Sequence, residues 1–216
     1  MIMAVLMVKG KNDNYKYKKT DPQIIEIYLR YITRTRSTDQ YPAAYVNYIG
    51  FRPYATIEEL ISGFHQTQMV YGCNNGIRAR HEWISFAEGE TVDIKGVDRI
   101  VDIANMFALW YYNQGFEVVY AIHTDSEHNH VHYVLNSVNF ITGKKYHSNR
   151  SVLNSERLYL DGLIKWITGK TTEKVQLEEY ADNTYEVVNA DLLLQQRYMP
   201  AVQFAYENEP KLVYEM

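Results

Sequence analysis

The chain has 216 residues, 46% hydrophobic and 22% charged, so it is long enough for one self-sufficient core and is neither fibrous nor disordered in composition. A single cysteine excludes an internal disulfide and fits a reducing, cytoplasmic setting. The net charge of −4 excludes a uniformly basic nucleic-acid binder, but the charge is unevenly spread: residues 9–36 carry eight basic side chains against three acidic ones, and residues 151–216 carry eleven acidic against six basic.

In chain order, the apolar opening, residues 1–8, is too short to cross a membrane and reads as a strand, which implies no membrane insertion. Thr20-Asp21-Pro22 is a helix start, and Ile24, Ile25, Tyr28, Tyr31 and Ile32 recur at helical spacing over residues 23–33. Residues 36–54 form a tyrosine-containing, partly extended connection. Thr56 and Glu59 make a capping box for a helix reaching residue 69. Residues 72–76 are a loop. Residues 78–86 alternate as a strand, with His81, Trp83 and Ser85 on one face and Glu82, Ile84 and Phe86 on the other. Residues 93–114 read as a helix whose stripe runs through Val97, Ile100, Val101, Ala104, Phe107, Ala108 and Tyr111, stopped by Gly115.

Two strands follow, residues 116–122 and 131–138, rich in β-branched and aromatic side chains, and between them lies the feature that dominates the chain. Of seven histidines, four (His123, His128, His130, His132) fall in this hairpin. Alternation puts His130 and His132 on one face, and His123 closes on them from the neighbouring strand. Three imidazoles from two rigid strands form an open shell suited to a catalytic divalent metal. His128 is available as a fourth ligand. A last helix, residues 151–167, ends at Gly169 and leads into an acidic remainder. The order of elements predicts an α+β fold with a mainly antiparallel sheet, helices on one face and the other face open for substrate. It divides the chain into a main unit, residues 1–150, and a helical acidic extension, residues 151–216.

The run His123-Thr-Asp125-Ser-Glu-His128-Asn-His130-Val-His132, with Asn136 beyond it and Phe140-Ile-Thr-Gly143-Lys144 after that, resembles the three-histidine motif of the relaxase/mobilisation nucleases. These are HUH endonucleases of the MobP and T-DNA border endonuclease type. The phrase His81-Glu-Trp-Ile-Ser85-Phe86 resembles their second motif, and Tyr31-Ile32-Thr33-Arg34-Thr35-Arg36 resembles their tyrosine motif. The resemblance implies an HUH-like fold and a metal-dependent, strand-specific DNA nickase acting at a transfer origin, which mobilises a plasmid or integrative element through a 5′-phosphotyrosyl intermediate. It implies His123, His130 and His132 as ligands of a divalent metal, Mg²⁺ or Mn²⁺ with Zn²⁺ the alternative, and Tyr31 as nucleophile, with Tyr28 its competitor. Asp125 is expected to steady a ligand histidine, ahead of Glu82 and Glu127. Arg34, Arg36 and Asn136 are expected to contact DNA. The partners implied are single-stranded DNA at the transfer origin and accessory relaxosome and coupling proteins. The alternatives are a rolling-circle replication initiator, whose tyrosine would follow the histidines (Tyr180, Tyr185 and Tyr198 are available), a water-activating metallohydrolase, and a non-catalytic, metal-stabilised single-strand-binding protein.

Overall fold

A computed structural model of the protein describes residues 5–8 (main chain only), 19–34 and 41–169. Arg36, the lysines between residues 9 and 18, and the chain from residue 170, with Tyr180, Tyr185 and Tyr198, lie outside the described residues.

Five strands, β1 (Val5–Val8), β2 (Tyr45–Ile49), β3 (Ala79–Ser85), β4 (Val118–His123) and β5 (His130–Asn136), form one sheet in the order β1-β3-β5-β4-β2, every neighbouring pair antiparallel. This is the expected α+β class. β4 and β5 lie inside the sheet and are buried on both faces. β2 is an added edge strand within the segment read as a connection; it pairs with β4 alone, Tyr45 opposite Ile122 and Ile49 opposite Val118.

Both faces carry helices, where helices on one face were expected. α3 (Ile100–Asn113) and α4 (Arg150–Thr168) bury Phe107, Tyr111, Tyr159, Leu160 and Leu163 against Tyr120, Val131, Tyr133 and Leu135. α1 (Ile24–Ile32) and α2 (Ile57–Val70) cover the opposite face, where Ile25, Leu29, Ile32 and Phe64 meet Val119, Ala121 and Val134. A two-sided sheet needs an apolar cover on each side, and the face that holds the histidines is covered by α1 and α2. α4 packs into the same core as α3, so the described part of the proposed extension belongs to the main body of the fold.

Local chemistry explains the element ends. Asp21 Oδ1 accepts the Gln23 N–H at 2.9 Å ahead of α1. The Thr56 and Glu59 capping box is formed at the start of α2. α3 begins seven residues later than the periodicity suggests, because Asp93 Oδ1 captures the N–H groups of Lys95 and Val97 (2.8 and 3.0 Å) in a turn. Val97, expected in the stripe, lies in that turn and is exposed, and Val101, inside α3, is exposed as well. At the other end Gly115 adopts φ +92°, and a side chain there would collide with the Asn139 amide. Among the described residues no helix is long and apolar enough to cross a membrane.

Candidate functional site

The register of the hairpin brings the histidines together. His123 ends β4 opposite His130, and His132 sits two residues along β5 on the same face, opposite Ala121. One nitrogen from each of His123, His130 and His132 lies within 4.8 Å of the other two. Their ring centroids are 4.7 to 5.2 Å apart.

Each ring is held by its other nitrogen. His123 Nε2 donates to the Ile32 carbonyl at 2.7 Å, so the last turn of α1 fixes that ring. His130 Nδ1 lies 3.1 Å from the His128 carbonyl and 3.2 Å from Ser126 Oγ. His132 Nδ1 lies 3.1 Å from His81 Nε2, and the remaining nitrogen, His132 Nε2, is buried with no hydrogen-bond partner. Burial pushes the His132 ring well below its ordinary pKa and lowers that of His123, with the neighbouring His81 adding to the effect at His132 and Arg34 at His123. Neutral imidazoles with a free lone pair are what a cation requires, and an orphaned buried nitrogen is otherwise costly. These three residues fit a divalent metal. His128 is exposed, and its contribution to the cluster is its main-chain carbonyl.

α1 delivers the tyrosines. Ile24, Ile25, Tyr28, Leu29 and Ile32 form its buried stripe, which turns Tyr31 toward the histidine end of the sheet. The Tyr31 ring stands edge-on to His132, centroids 5.5 Å apart, and is half-buried. Tyr28 is 3% exposed and packs on His81 at 5.1 Å. A nucleophile must be reachable by a polymer substrate, and of the two only Tyr31 is.

A profile of the relaxase family, MobA/VirD2-like nuclease domain, matches residues 31–161, which begin at Tyr31 and take in all three histidines. The chain belongs to this family. Two proteins of Staphylococcus aureus, both named "Protein rlx", are similar to it, one 39% identical over 90 residues and the other 37% identical over 89. Each match covers 41% of this chain, and the chain spans about a quarter of the length of these relatives (26% and 27%).

The other expected residues of the relaxase domain are placed less uniformly. Arg34, just past the end of α1, has φ +54°, a left-handed conformation that costs a side chain about 1 kcal/mol and is usually left to glycine. That turn aims its guanidinium at Asp125 Oδ2 (2.6 Å) and at His123 Nδ1 (3.3 Å), and sets it 5.7 Å from the Tyr31 ring centroid. Asp125, expected to hold a histidine directly, is joined to His123 through Arg34; among the described residues the ring partners are Arg34, Ile32, His128, Ser126 and His81. Glu82 points to the other face of the sheet, ion-paired with Arg80 at 2.7 Å, and is removed as a competitor for that role.

Asn136 is also corrected. It shares the strand face of the histidines, as alternation requires, but α2 covers that end of the sheet. Its side chain is fully buried and satisfied: Oδ1 accepts from Gln68 Nε2 and the Val138 N–H, and Nδ2 donates to the Phe64 carbonyl and to Glu117. DNA cannot reach it, and its role is to lock α2 to β5. The residue that sequence reasoning left without a definite role is His81, 4% exposed, which contacts His132, Tyr28, Tyr31 and Trp83 at once. Its placement on the Trp83 and Ser85 face of β3 was readable; its partner was not.

Proposed function

We propose that this relaxase domain nicks one strand of DNA at a transfer origin by transesterification to Tyr31, conserving the phosphodiester energy for later resealing in the mobilisation of a plasmid or integrative element. The observation that carries the reading is the half-open Tyr31 ring 5.5 Å from His132, in a cluster of three histidines fit for a cation.

His123, His130 and His132 would hold Mg²⁺ or Mn²⁺, with Zn²⁺ the alternative, and a cation there would draw negative charge from the scissile phosphate and orient it. The chain's own groups do the rest. The Tyr31 phenol, ordinarily of pKa about 10, gives up its proton to solvent as its oxygen bonds to phosphorus. The bond from phosphorus to the 3′-oxygen breaks, and that oxygen leaves as a 3′-hydroxyl after taking a proton. The 5′-phosphate remains on the tyrosine. Arg34, held by Asp125 beside both Tyr31 and His123, supplies a fixed positive charge for the phosphate. Arg36 and the lysines of residues 9–19 are the basic path for the flanking single strand, and accessory relaxosome and coupling proteins are the expected partners.

The test uses single-stranded oligonucleotides tiled across the element's own transfer origin, with and without Mn²⁺, followed by a denaturing gel. A covalent protein–DNA band that needs the metal and disappears in Tyr31→Phe is expected. Cleavage without any covalent band would point to a water-activating hydrolase. A band that survives Tyr31→Phe and maps beyond the histidines would point to the rolling-circle class.

A further inference from the structure

We infer that His81 is a positioning residue of the metal centre: it accepts the proton-bearing nitrogen of His132 and thereby turns the lone pair of that ring toward the cation site. The inference rests on the metal reading above and deepens it. His81 lies on β3, paired in register with Val134, so its side chain stands diagonally beside His132 on the same face of the sheet. The contact between His81 Nε2 and His132 Nδ1 is 3.1 Å and buried.

Either ring could donate across that contact, and the far nitrogens of both rings, His81 Nδ1 and His132 Nε2, are buried, so the cation site decides which does. If His81 donated, His132 would carry its proton on Nε2, a buried atom with no acceptor, aimed among the other two imidazoles. An N–H at that position has no lone pair to offer a cation. His132 as donor places the lone pair on Nε2 instead, where it can serve as a ligand. His81 is in turn confined by the Tyr28 ring (5.1 Å), the Tyr31 ring (5.7 Å) and Trp83 (5.8 Å), so it cannot swing away without disturbing the helix that bears the nucleophile. One buried histidine thus joins a metal ligand to α1, much as Ile32 does for His123. Partners that orient a ligand histidine typically carry 10- to 100-fold in metal affinity.

The experiment compares Mn²⁺ binding by calorimetry in the full chain for wild type, His81→Gln and His81→Met. Glutamine places an acceptor near the position of Nε2, whereas methionine keeps the volume without one. His81→Met should bind about 10- to 100-fold more weakly and His81→Gln within a few-fold of wild type. Equal affinity in His81→Met and wild type, or an equal loss in both variants, would overturn the inference. Nitrogen NMR of histidine-labelled wild-type protein without metal judges it independently of whether a variant folds: His132 protonated on Nδ1 supports it, and His132 protonated on Nε2 overturns it. Failure of the wild type to bind Mn²⁺ would instead sink the parent metal reading, and the tautomer of His132 would still decide the role of His81.

Discussion

The two faces of the sheet handle buried polar side chains in opposite ways. Toward α3 and α4, opposite charges close on one another within the protein, although among the described residues Arg80 Nε, both Glu82 carboxylate oxygens and the Tyr111 hydroxyl make no hydrogen bond. Arg80 meets Glu156 in a two-pronged pair (2.9 and 2.7 Å), lies 2.7 Å from Glu82, and has the Tyr146 ring against its guanidinium, while the Tyr146 hydroxyl donates to Glu156. Toward α1, His130 and His132 each use one nitrogen within the protein and leave the other facing a space shared with His123, whose Nδ1 lies 3.3 Å from the Arg34 guanidinium. The lesson is that burial of charge alone does not mark a site: a charge matched by its neighbours is structure, and imidazoles that converge on a shared space have room for a ligand.

The largest expected effect breaks the closed set. Arg80→Met leaves two buried carboxylates without their counter-charge and should cost about 3–5 kcal/mol of stability, read from urea unfolding. Replacing Arg80, Glu82 and Glu156 together by apolar residues of similar volume should recover most of that loss, because the desolvation cost goes with the charges. A triple variant as unstable as Arg80→Met would mean that the network does more than neutralise itself.

Next comes the open set. His130→Ala removes a half-buried ring that supports no core packing, so stability should move by less than about 1 kcal/mol while Mn²⁺ binding and the covalent DNA adduct are lost together. Retention of tight Mn²⁺ binding would dissolve the contrast between the faces.

The faces should also answer pH with opposite signs. Burial pushes the Glu82 carboxyl up from 4.5 to about 7, against the opposing pull of Arg80. The folded state therefore binds the extra proton, and the associated stability, present below about pH 4.5, is lost as pH rises to about 7. At roughly 1.4 kcal/mol per unit this is on the order of 3 kcal/mol at most, and Glu82→Gln should flatten it. His132 and His123 are pushed down from 6.5, so their contribution is present above about pH 6.5 and lost as pH falls below it. Unfolding curves from pH 4 to 8 for wild type and Glu82→Gln separate the two.

The smallest effect is at Arg34. Arg34→Gly relieves a left-handed backbone while removing a partly exposed ion pair, so the net change in stability should be within about 1 kcal/mol of zero. Affinity for transfer-origin single strands should nevertheless fall several-fold, which a salt-controlled binding titration would register. Unchanged affinity would leave Arg34 as a structural clamp on Asp125.

Much of this was legible in the chain. Strict alternation placed His81, Trp83 and Ser85 opposite Glu82 and Ile84, and put His130 and His132 on one face, as the registers of β3 and β5 show. The Thr56 and Glu59 pair named the start of α2. What failed to show is non-local. β2 is a short edge strand whose pairing with β4 leaves little periodicity to read. The turn at Asp93 hides inside an apolar pattern because side-chain capture of main-chain N–H groups has no period. Glu156 looks like the solvated face of a helix until Arg80, 76 positions earlier, is found against it. Asn136 was assigned to the right face, but only the packing of α2 reveals that this end of the face is closed.

The most direct test of the account is anomalous diffraction from crystals of the protein soaked in Mn²⁺. The account predicts one strong Mn²⁺ peak bonded to a nitrogen of each of His123, His130 and His132, with the Tyr31 ring beside it. A peak bound elsewhere, or none among those three rings at a Mn²⁺ concentration that supports nicking, would contradict it.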